Sequence, residues 1–474
     1  MSPGNCWLVT LGCKVNLYES EALTTQLQTA GFSISAREEE GTIFIVNSCA
    51  VTAQAEAKTR QAVRRLRREH PRSLIVLMGC FSDASPLSAA GLGADLILNN
   101  NQKPHLAEYL QCRISQAMTI GEAEESNLVT ACTGDKAFSS DCQPSEVIRE
   151  SWIDFSSGSD TPSRTYPGYN LYNPSGHTRP LIKIQDGCNN RCTYCLIPSL
   201  RGPERSRPLH EVVREAEHLR DLGYAELVLC GIHLSRWGRD FNPEQSLADL
   251  LGRLLEVSDL PRIRLSSVEP TDIDKQLIDL LARANSKICP HLHIPLQSGC
   301  DETLKRMGRR YLTSDYRALL AQIRQTIPDI ALTTDLIAGF PGESEAEFRD
   351  SLAFCEEMAF TRLHIFRYSP RQGTVAQTLP GRITRRVQEE RSSVLQALGR
   401  RLAQGYAQQF IERVVEVVLE QKNPEQLEAQ GYSEHYQLCH VPWEKEIPAQ
   451  GLLCRVRIER SDAKGLHGKL MDSN

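Results

Sequence analysis

The sequence predicts an α/β protein in three parts: an N-terminal parallel α/β domain over residues 4–110, a partial barrel of six βα units over 179–412, and a small β-barrel over 413–474. Three observations carry this reading. Short apolar runs rich in β-branched residues alternate with helical stretches through residues 4–100. The alternation resumes at Leu181 and repeats about six times. Val414–Leu470 is β-rich and punctuated by Gly431, Gly451 and Gly465. Strands alternating with helices imply parallel sheets with crossover helices.

In the first part the strands are Trp7–Gly12, Ile43–Asn47 and Leu74–Gly79, with helices at Glu19–Ala30 and Ala53–Glu69. Residues 111–178 break the pattern. Ser, Thr, Gly, Pro and acidic residues dominate there, and the stretch reads as a linker or insertion whose Cys132 and Cys142 have no partner at a telling spacing. The barrel strands are Leu181–Gln185, Glu226–Cys230, Arg262–Ser267, His291–Leu296, Ala331–Ile337 and Arg362–Phe366, separated by helices such as Leu209–Leu222 and Glu343–Met358. Barrels of this kind work at the carboxyl ends of their strands. In the last part Val414–Leu419 and Leu452–Ile458 are strands.

Over 474 residues, 41% hydrophobic and 24% charged content is that of a globular chain, which excludes a wholly disordered one. With 54 basic against 59 acidic residues, any nucleic-acid surface must be local. No secretory signal opens the chain, and no apolar run is long enough to span a bilayer, so a cytoplasmic protein without membrane contact is expected. Sixteen cysteines in a reducing compartment point to metal ligation or redox chemistry before disulfides.

Two groups of cysteines stand out. Cys188, Cys192 and Cys195 follow the first barrel strand in a C-x3-C-x2-C run, where three thiolates can hold three irons of a four-iron cluster and leave the fourth iron open. A zinc site with a distant ligand such as His177 is the rival, but zinc knuckles carry paired ligands at both ends. Cys13, Cys49 and Cys80 each follow one of the three N-terminal strands. Parallel strands end on one edge, so these thiols are expected to converge on a second cluster, against the alternative of three unrelated buried cysteines.

The C-x3-C-x2-C run resembles the radical S-adenosylmethionine superfamily. That resemblance implies S-adenosylmethionine on the open iron, cleaved to a 5′-deoxyadenosyl radical. Outside the 111–178 stretch, the chain resembles the methylthiotransferases, which pair one cluster in an N-terminal domain with one in a radical barrel. Thr10-Leu11-Gly12-Cys13-Lys14-Val15-Asn16, then Glu19-Ser20-Glu21, is most similar to the branch acting on N6-threonylcarbamoyladenosine next to the anticodon, at position 37 of tRNA. Asn47-Ser48-Cys49-Ala50-Val51-Thr52 suits the same branch. The family's barrel is also resembled by Cys230-Gly231-Ile232-His233, Leu265–Pro270, His293–Gly299 and Asp335–Glu343.

By this resemblance Tyr194 and Ile337 flank the adenine, Gly231 lies near the methionine moiety, and Ser267 and Gln297 make polar contacts to the cofactor. It also implies two [4Fe–4S] clusters, a methyl donated to sulfur at the N-terminal one, hydrogen abstraction from C2 of the adenine, an electron donor and a sulfur source. A monomer or weak dimer is expected.

Lys58, Arg60, Arg64, Arg65, Arg67, Arg68 and Arg72 cluster on or beside the helix after Cys49, with only Glu56 and Glu69 near them in sequence. They are candidates for phosphate contact, against the alternative of a solvated helix face. Lys305, Arg306, Arg309 and Arg310 form a second group. The C-terminal part resembles a TRAM domain around Gly431–Tyr436, where Tyr432, Tyr436 or Trp443 would stack on a base. A carboxylate-bearing nucleoside favours a basic pocket residue, for which Arg264 and Arg367 are candidates. The rival functions are methylthiolation of isopentenyladenosine or of a ribosomal protein and, in another class, a non-catalytic iron–sulfur RNA sensor.

Overall fold

The computed structural model describes residues 4–122, 166, 168–169, 174, 177–284, 286–423, 427–442 and 451–471. Cys132, Cys142 and Trp443 lie outside them. The chain forms two compact units, one of residues 1–175, 187–189 and 196–203, the other of 176–186, 190–195 and 204–474.

In the first unit β1 (Asn5–Thr10), β2 (Ser33–Ile34), β3 (Ile43–Ser48), β4 (Leu74–Gly79) and β5 (Leu96–Leu98) form a parallel sheet in the order β2-β1-β3-β4-β5. Thr10 pairs with Asn47, and Ser48 with Gly79, so the three strands before the cysteines end in register. The two short outer strands were too brief to stand out as apolar runs. The helix Ala53–Glu69 has its expected bounds, capped by the Thr52 hydroxyl, which accepts from the Ala55 amide. Its buried residues, Thr59, Val63 and Leu66, fall at helical spacing on one face; burying Val63 and Leu66 contributes about 1.5–3 kcal/mol each. The helix Lys14–Thr29 starts directly after Cys13. Leu106–Glu122 is helical, so the first dozen residues of the expected insertion continue a helix.

In the second unit β6 (Leu181–Asp186), β8 (Glu226–Gly231), β9 (Arg262–Leu265), β10 (His291–His293), β11 (Ala331–Ala338) and β12 (Arg362–Arg367) follow one another in chain order, with β7 (Arg205–Ser206) antiparallel at the edge. Single bridges, Ile263 to Ile288 and Ser267 to His293, join β9 to the β10 side. The six parallel strands are thus the expected partial barrel. One apolar core runs from Ile182 to Leu398.

The chain ends in a closed barrel of β13 (Val414–Asn423), β14 (Glu428–Ser433), β15 (Leu438–Pro442), β16 (Leu453–Asp462) and β17 (Gly465–Leu470), in the order β13-β14-β15-β17-β16. It is joined to the sheet at the amino ends of β8 and β9. There the wholly buried Glu226 accepts from Arg264 and Arg262. Their guanidinium groups also donate to the carbonyls of Glu416, Tyr432, Ser433 and Glu434.

Arg179 lies over the rings of Tyr432 and Tyr436 and Arg264 over that of Tyr436, and the two rings stack on each other at 4.9 Å. This corrects two expectations. Arg264 is a buried joint residue at the strand ends away from the chemistry, and both tyrosines are already packed against arginine. Among the described residues no helix is long and apolar enough to cross a membrane.

Candidate active site

In the first unit the expected convergence of thiols is present. A Cβ built on Gly12 would lie 2.7 Å from the Cys49 Sγ, so the β1 turn closes directly over that cysteine. Gly12 takes φ +107 and Gly79 φ +102, both in the region that favours glycine. The three thiols interact electrostatically: after burial, Cys80 adds to the rise of the Cys13 thiol, and Cys80 and Cys13 to that of Cys49. Burial pushes the Cys49 thiol up to about 11, and burial likewise raises Cys13, although its surface opens to solvent. A metal would therefore have to displace protons on binding. Amide donors already face the sulfurs, Val51 N–H to Cys49 at 3.5 Å and the Asn100 side chain to Cys80 at 3.6 Å. Three thiols near one another, glycine in the turns before two of them and N–H donors to two of the sulfurs fit an iron–sulfur cluster.

The residues beneath them explain the Asn16 and Glu19 of the N-terminal motif. The Asn16 Nδ2 donates to the carbonyls of Leu11 (2.9 Å) and Ser48 (2.8 Å), tying the turns before Cys13 and Cys49 together. Ser48 donates to Met78 O and accepts from the Phe81 amide, linking the β3 end to that of β4. Glu19 accepts from Arg201 at 2.7 Å and from Lys103 at 2.7 Å. Sequence reasoning missed Arg201, Lys103 and Asn100. Arg201 comes from the short helix Ile197–Arg201, whose Leu200 packs in the first unit's core, with the preceding Leu196 packed against it.

Cys188, in the first unit, donates its amide to Gly202 O at 3.1 Å. Gly187 before it has φ +72, and a Cβ there would meet Pro203 O at 1.9 Å, so only glycine fits. In the second unit the Cys195 amide donates to Cys192 O, closing a tight turn around Tyr194. Thr193 fastens this turn, its amide to Met307 O and its hydroxyl to Arg306 O. Arg309 donates to the Cys192 Sγ at 3.4 Å and is ion-paired with Glu269. Its side chain is 4% exposed, so Arg309 holds the cysteine turn and is no phosphate ligand. Arg306 is committed to Glu347 by two bonds of 2.9 Å.

Tyr194 and Ile337 share one apolar cluster with Met307, Phe340, Ala376, Tyr368 and Leu379, and Tyr194 meets Phe340 edge to face at 6.3 Å. Burial raises the Tyr194 hydroxyl well above its ordinary pKa. Gly231 ends β8 opposite Gln185, whose Oε1 accepts from the His233 amide at 2.7 Å. Ser267 bridges to His293, and Gln297 bridges to Leu336 with φ +69, a conformation uncommon for a residue with a side chain. All five residues therefore lie at carboxyl ends of the strands or on the loops that leave them.

Of the basic residues after Cys49, Arg60 pairs with Glu56, Arg65 with Glu38 and Glu69, Arg67 with Asp95 and Arg68 with Glu69. The lone-cation count from sequence is corrected, because Glu38 and Asp95 come from elsewhere in the unit. Lys58, Arg64 and Arg72 are exposed, with no acidic partner among the described residues. Arg367 is paired with Glu389.

Residues 182–355 match the radical SAM superfamily, and residues 5–98 match an uncharacterized protein family, UPF0004. The chain is 34% identical to a threonylcarbamoyladenosine tRNA methylthiotransferase, MtaB, of Bacillus subtilis over 90% of its own length and 88% of the relative's. An MtaB of Thermotoga maritima is also 34% identical, over 90% and 89%. A tRNA-2-methylthio-N6-dimethylallyladenosine synthase of Moorella thermoacetica is 31% identical over 98% of each chain. Among solved structures, the radical S-adenosylmethionine methyltransferase TsrM of Kitasatospora setae shares the fold, with a TM-score of 0.55 at 16% identity over 80% of this chain and 77% of that one.

Proposed function

The chain belongs to the radical S-adenosylmethionine methylthiotransferase family, and from that premise we propose that it adds a methylthio group to C2 of N6-threonylcarbamoyladenosine at position 37 of tRNA. The observation that carries the reading is the pair of cysteine triads, one at the strand ends of a parallel sheet and one on the first barrel loop, in a chain 34% identical to enzymes of that specificity. Cys188, Cys192 and Cys195 would hold one [4Fe–4S] cluster, and Cys13, Cys49 and Cys80 a second. When bound, the first with S-adenosylmethionine would supply a carbon radical able to take hydrogen from an aromatic C–H, and the second would hold the sulfur while it is methylated.

The chain's own residues bind, orient and exclude water. Tyr194, Ile337 and Phe340 offer an apolar surface suited to a purine face. Gln297 is held rigidly by backbone bonds to Asp335 and Ile337, which fixes where its side chain departs. Gly231 leaves the end of β8 without a side chain, so a ligand can come close to the backbone. An aromatic C–H offers little to a general base, and no acid–base pair is assigned. An electron donor and a sulfur source complete the reaction.

The test is mass spectrometry of tRNA nucleosides with and without the gene. Loss of 2-methylthio-N6-threonylcarbamoyladenosine with accumulation of its unthiolated precursor supports the reading. Loss of the dimethylallyl analogue instead would move the substrate to the branch of the Moorella relative. An unchanged tRNA profile would overturn the tRNA assignment.

A further inference from the structure

The apolar core of the barrel takes only one face of its last three strands. Leu292 of β10, Leu332 and Leu336 of β11 and Leu363 of β12 pack in or against the core shared with helix residues such as Leu320. Successive residues of a strand point to opposite faces, and the helices lie outside a βα barrel. His293, Asp335, His364 and Phe366 therefore stand on the inner face. There the His293 Nε2 meets the Asp335 Oδ1 at 3.2 Å, and its Nδ1 meets the Thr333 hydroxyl at 2.9 Å. The His364 ring stands edge-on to that of His293 at 5.4 Å, and His364 is the cross-strand partner of Asp335. One carboxylate is thus flanked by two imidazoles.

This row is open. The Asp335 side chain is 26% exposed, and Phe366, next on the same face of β12, is 46% exposed. Ile337, the cross-strand partner of Phe366, belongs to the apolar cluster of Tyr194, so the row starts about 7 Å along β11 from that cluster. An open aromatic face suits a purine, and the polar groups beside it suit a purine with a polar substituent. A threonylcarbamoyl group brings N–H and O–H donors for a carboxylate, and a carboxylate that accepts from an imidazole N–H. A dimethylallyl group is hydrocarbon throughout and would cover the same atoms without replacing the water they lose. A site built from hydrogen-bonding groups rejects such an analogue strongly. We propose that Asp335 and His364 are specificity-determining residues that read the N6 substituent of the substrate adenosine, with Phe366 against the base. This rests on the methylthiolation of N6-threonylcarbamoyladenosine proposed above.

The test uses the full chain, reconstituted anaerobically and kept without reductant, with two anticodon stem-loop RNAs. They are identical except that the adenosine at position 37 carries a threonylcarbamoyl or a dimethylallyl group. Fluorescence anisotropy reads the two Kd values, and the parent should prefer the threonylcarbamoyl RNA by about tenfold or more. Asp335→Asn turns one acceptor oxygen into a donor, and His364→Phe keeps a ring and loses its N–H. Each should cut the preference to about threefold or less. The loss should fall on the threonylcarbamoyl RNA, with the dimethylallyl RNA bound within about twofold of the parent. Melting curves show which variants fold, and either one that folds decides the matter. An unchanged preference, or a loss shared equally by both RNAs, overturns the proposal. A parent with no preference that still forms the 2-methylthio-N6-threonylcarbamoyl nucleoside overturns it and leaves the proposed function standing. A parent that prefers the dimethylallyl RNA overturns both.

Discussion

Arg309 donates a hydrogen bond to the thiol of Cys192 at 3.4 Å while its guanidinium is ion-paired with Glu269. It also donates to the Tyr311 hydroxyl, which in turn donates to the carbonyls of Pro295 and Leu296. The cysteine turn after β6 is thereby fastened to the loop that leaves β10. One arginine sets the position of a candidate ligand from two other strand ends.

Arg309→Gln should therefore weaken the radical site without touching the N-terminal one. Its loss leaves Glu269 unpaired, and because Glu269 is 21% exposed the stability cost is about 2 kcal/mol, below that of a fully buried pair. Formation of 5′-deoxyadenosine should drop at least tenfold, read by chromatography under anaerobic reducing conditions. Unimpaired formation would show that the bond to Cys192 is incidental.

The two triads are expected to separate by function. Replacing Cys188, Cys192 and Cys195 with Ala should abolish 5′-deoxyadenosine formation. Replacing Cys13, Cys49 and Cys80 should halve the bound iron and stop methylthio transfer while cleavage of S-adenosylmethionine continues. Iron analysis alongside the cleavage assay checks both, and unchanged iron in the second variant would refute a second cluster.

Glu226 makes the joint with the C-terminal barrel sensitive to acid. Burial alone would raise its carboxyl, but Arg264, Arg262 and Arg179 bring it down to about 2. A depressed carboxyl contributes stability that is complete above its unfolded pKa, about 4.3, and is lost as pH falls from there towards 2. Glu226→Gln should lower the melting temperature at pH 7, with about 3–5 kcal/mol lost because the buried Arg262 and Arg264 lose the carboxylate they share. The difference between parent and variant should shrink as the pH is lowered towards 3. Melting curves across that range decide it, and a constant difference would remove the carboxylate from the account.

On the helix Ala53–Glu69 the exposed, unpaired Lys58 and Arg64 are the phosphate candidates. Lys58→Ala with Arg64→Ala should weaken tRNA binding and reduce the salt slope by about 0.7–0.9 per lost contact. Arg65→Ala and Arg67→Ala should cost stability instead, since those side chains hold Glu38 and Asp95. Filter binding at several salt concentrations separates the pairs, and equal effects from all four would make the helix a general basic surface.

Much of this was legible in the chain. The strand ends before Cys13, Cys49 and Cys80 could be read because apolar β-branched runs mark buried parallel strands, and parallel strands deliver their carboxyl ends to one edge. The C-x3-C-x2-C run needed only local spacing. Tyr194 and Ile337 could be paired only through family likeness, since 143 residues separate them. The acids that offset the basic helix could not be counted from sequence, because Arg65 meets Glu38 and Arg67 meets Asp95, each from more than 25 residues away. Arg264 reads as a candidate pocket residue because nothing near it in sequence announces Glu226 or the carbonyl of Ser433.

The sequence by itself determined the α/β order, the closed barrel at the end, the two cysteine triads and the family. Period, turn residues and ligand spacing are local properties, each written within a few neighbouring positions. Only the tertiary structure decided which charges are spent and which remain exposed. Glu19 and Arg201 stand 182 residues apart in the chain and 2.7 Å apart in space. An ion pair is set by distance and burial, and neither can be counted along a sequence.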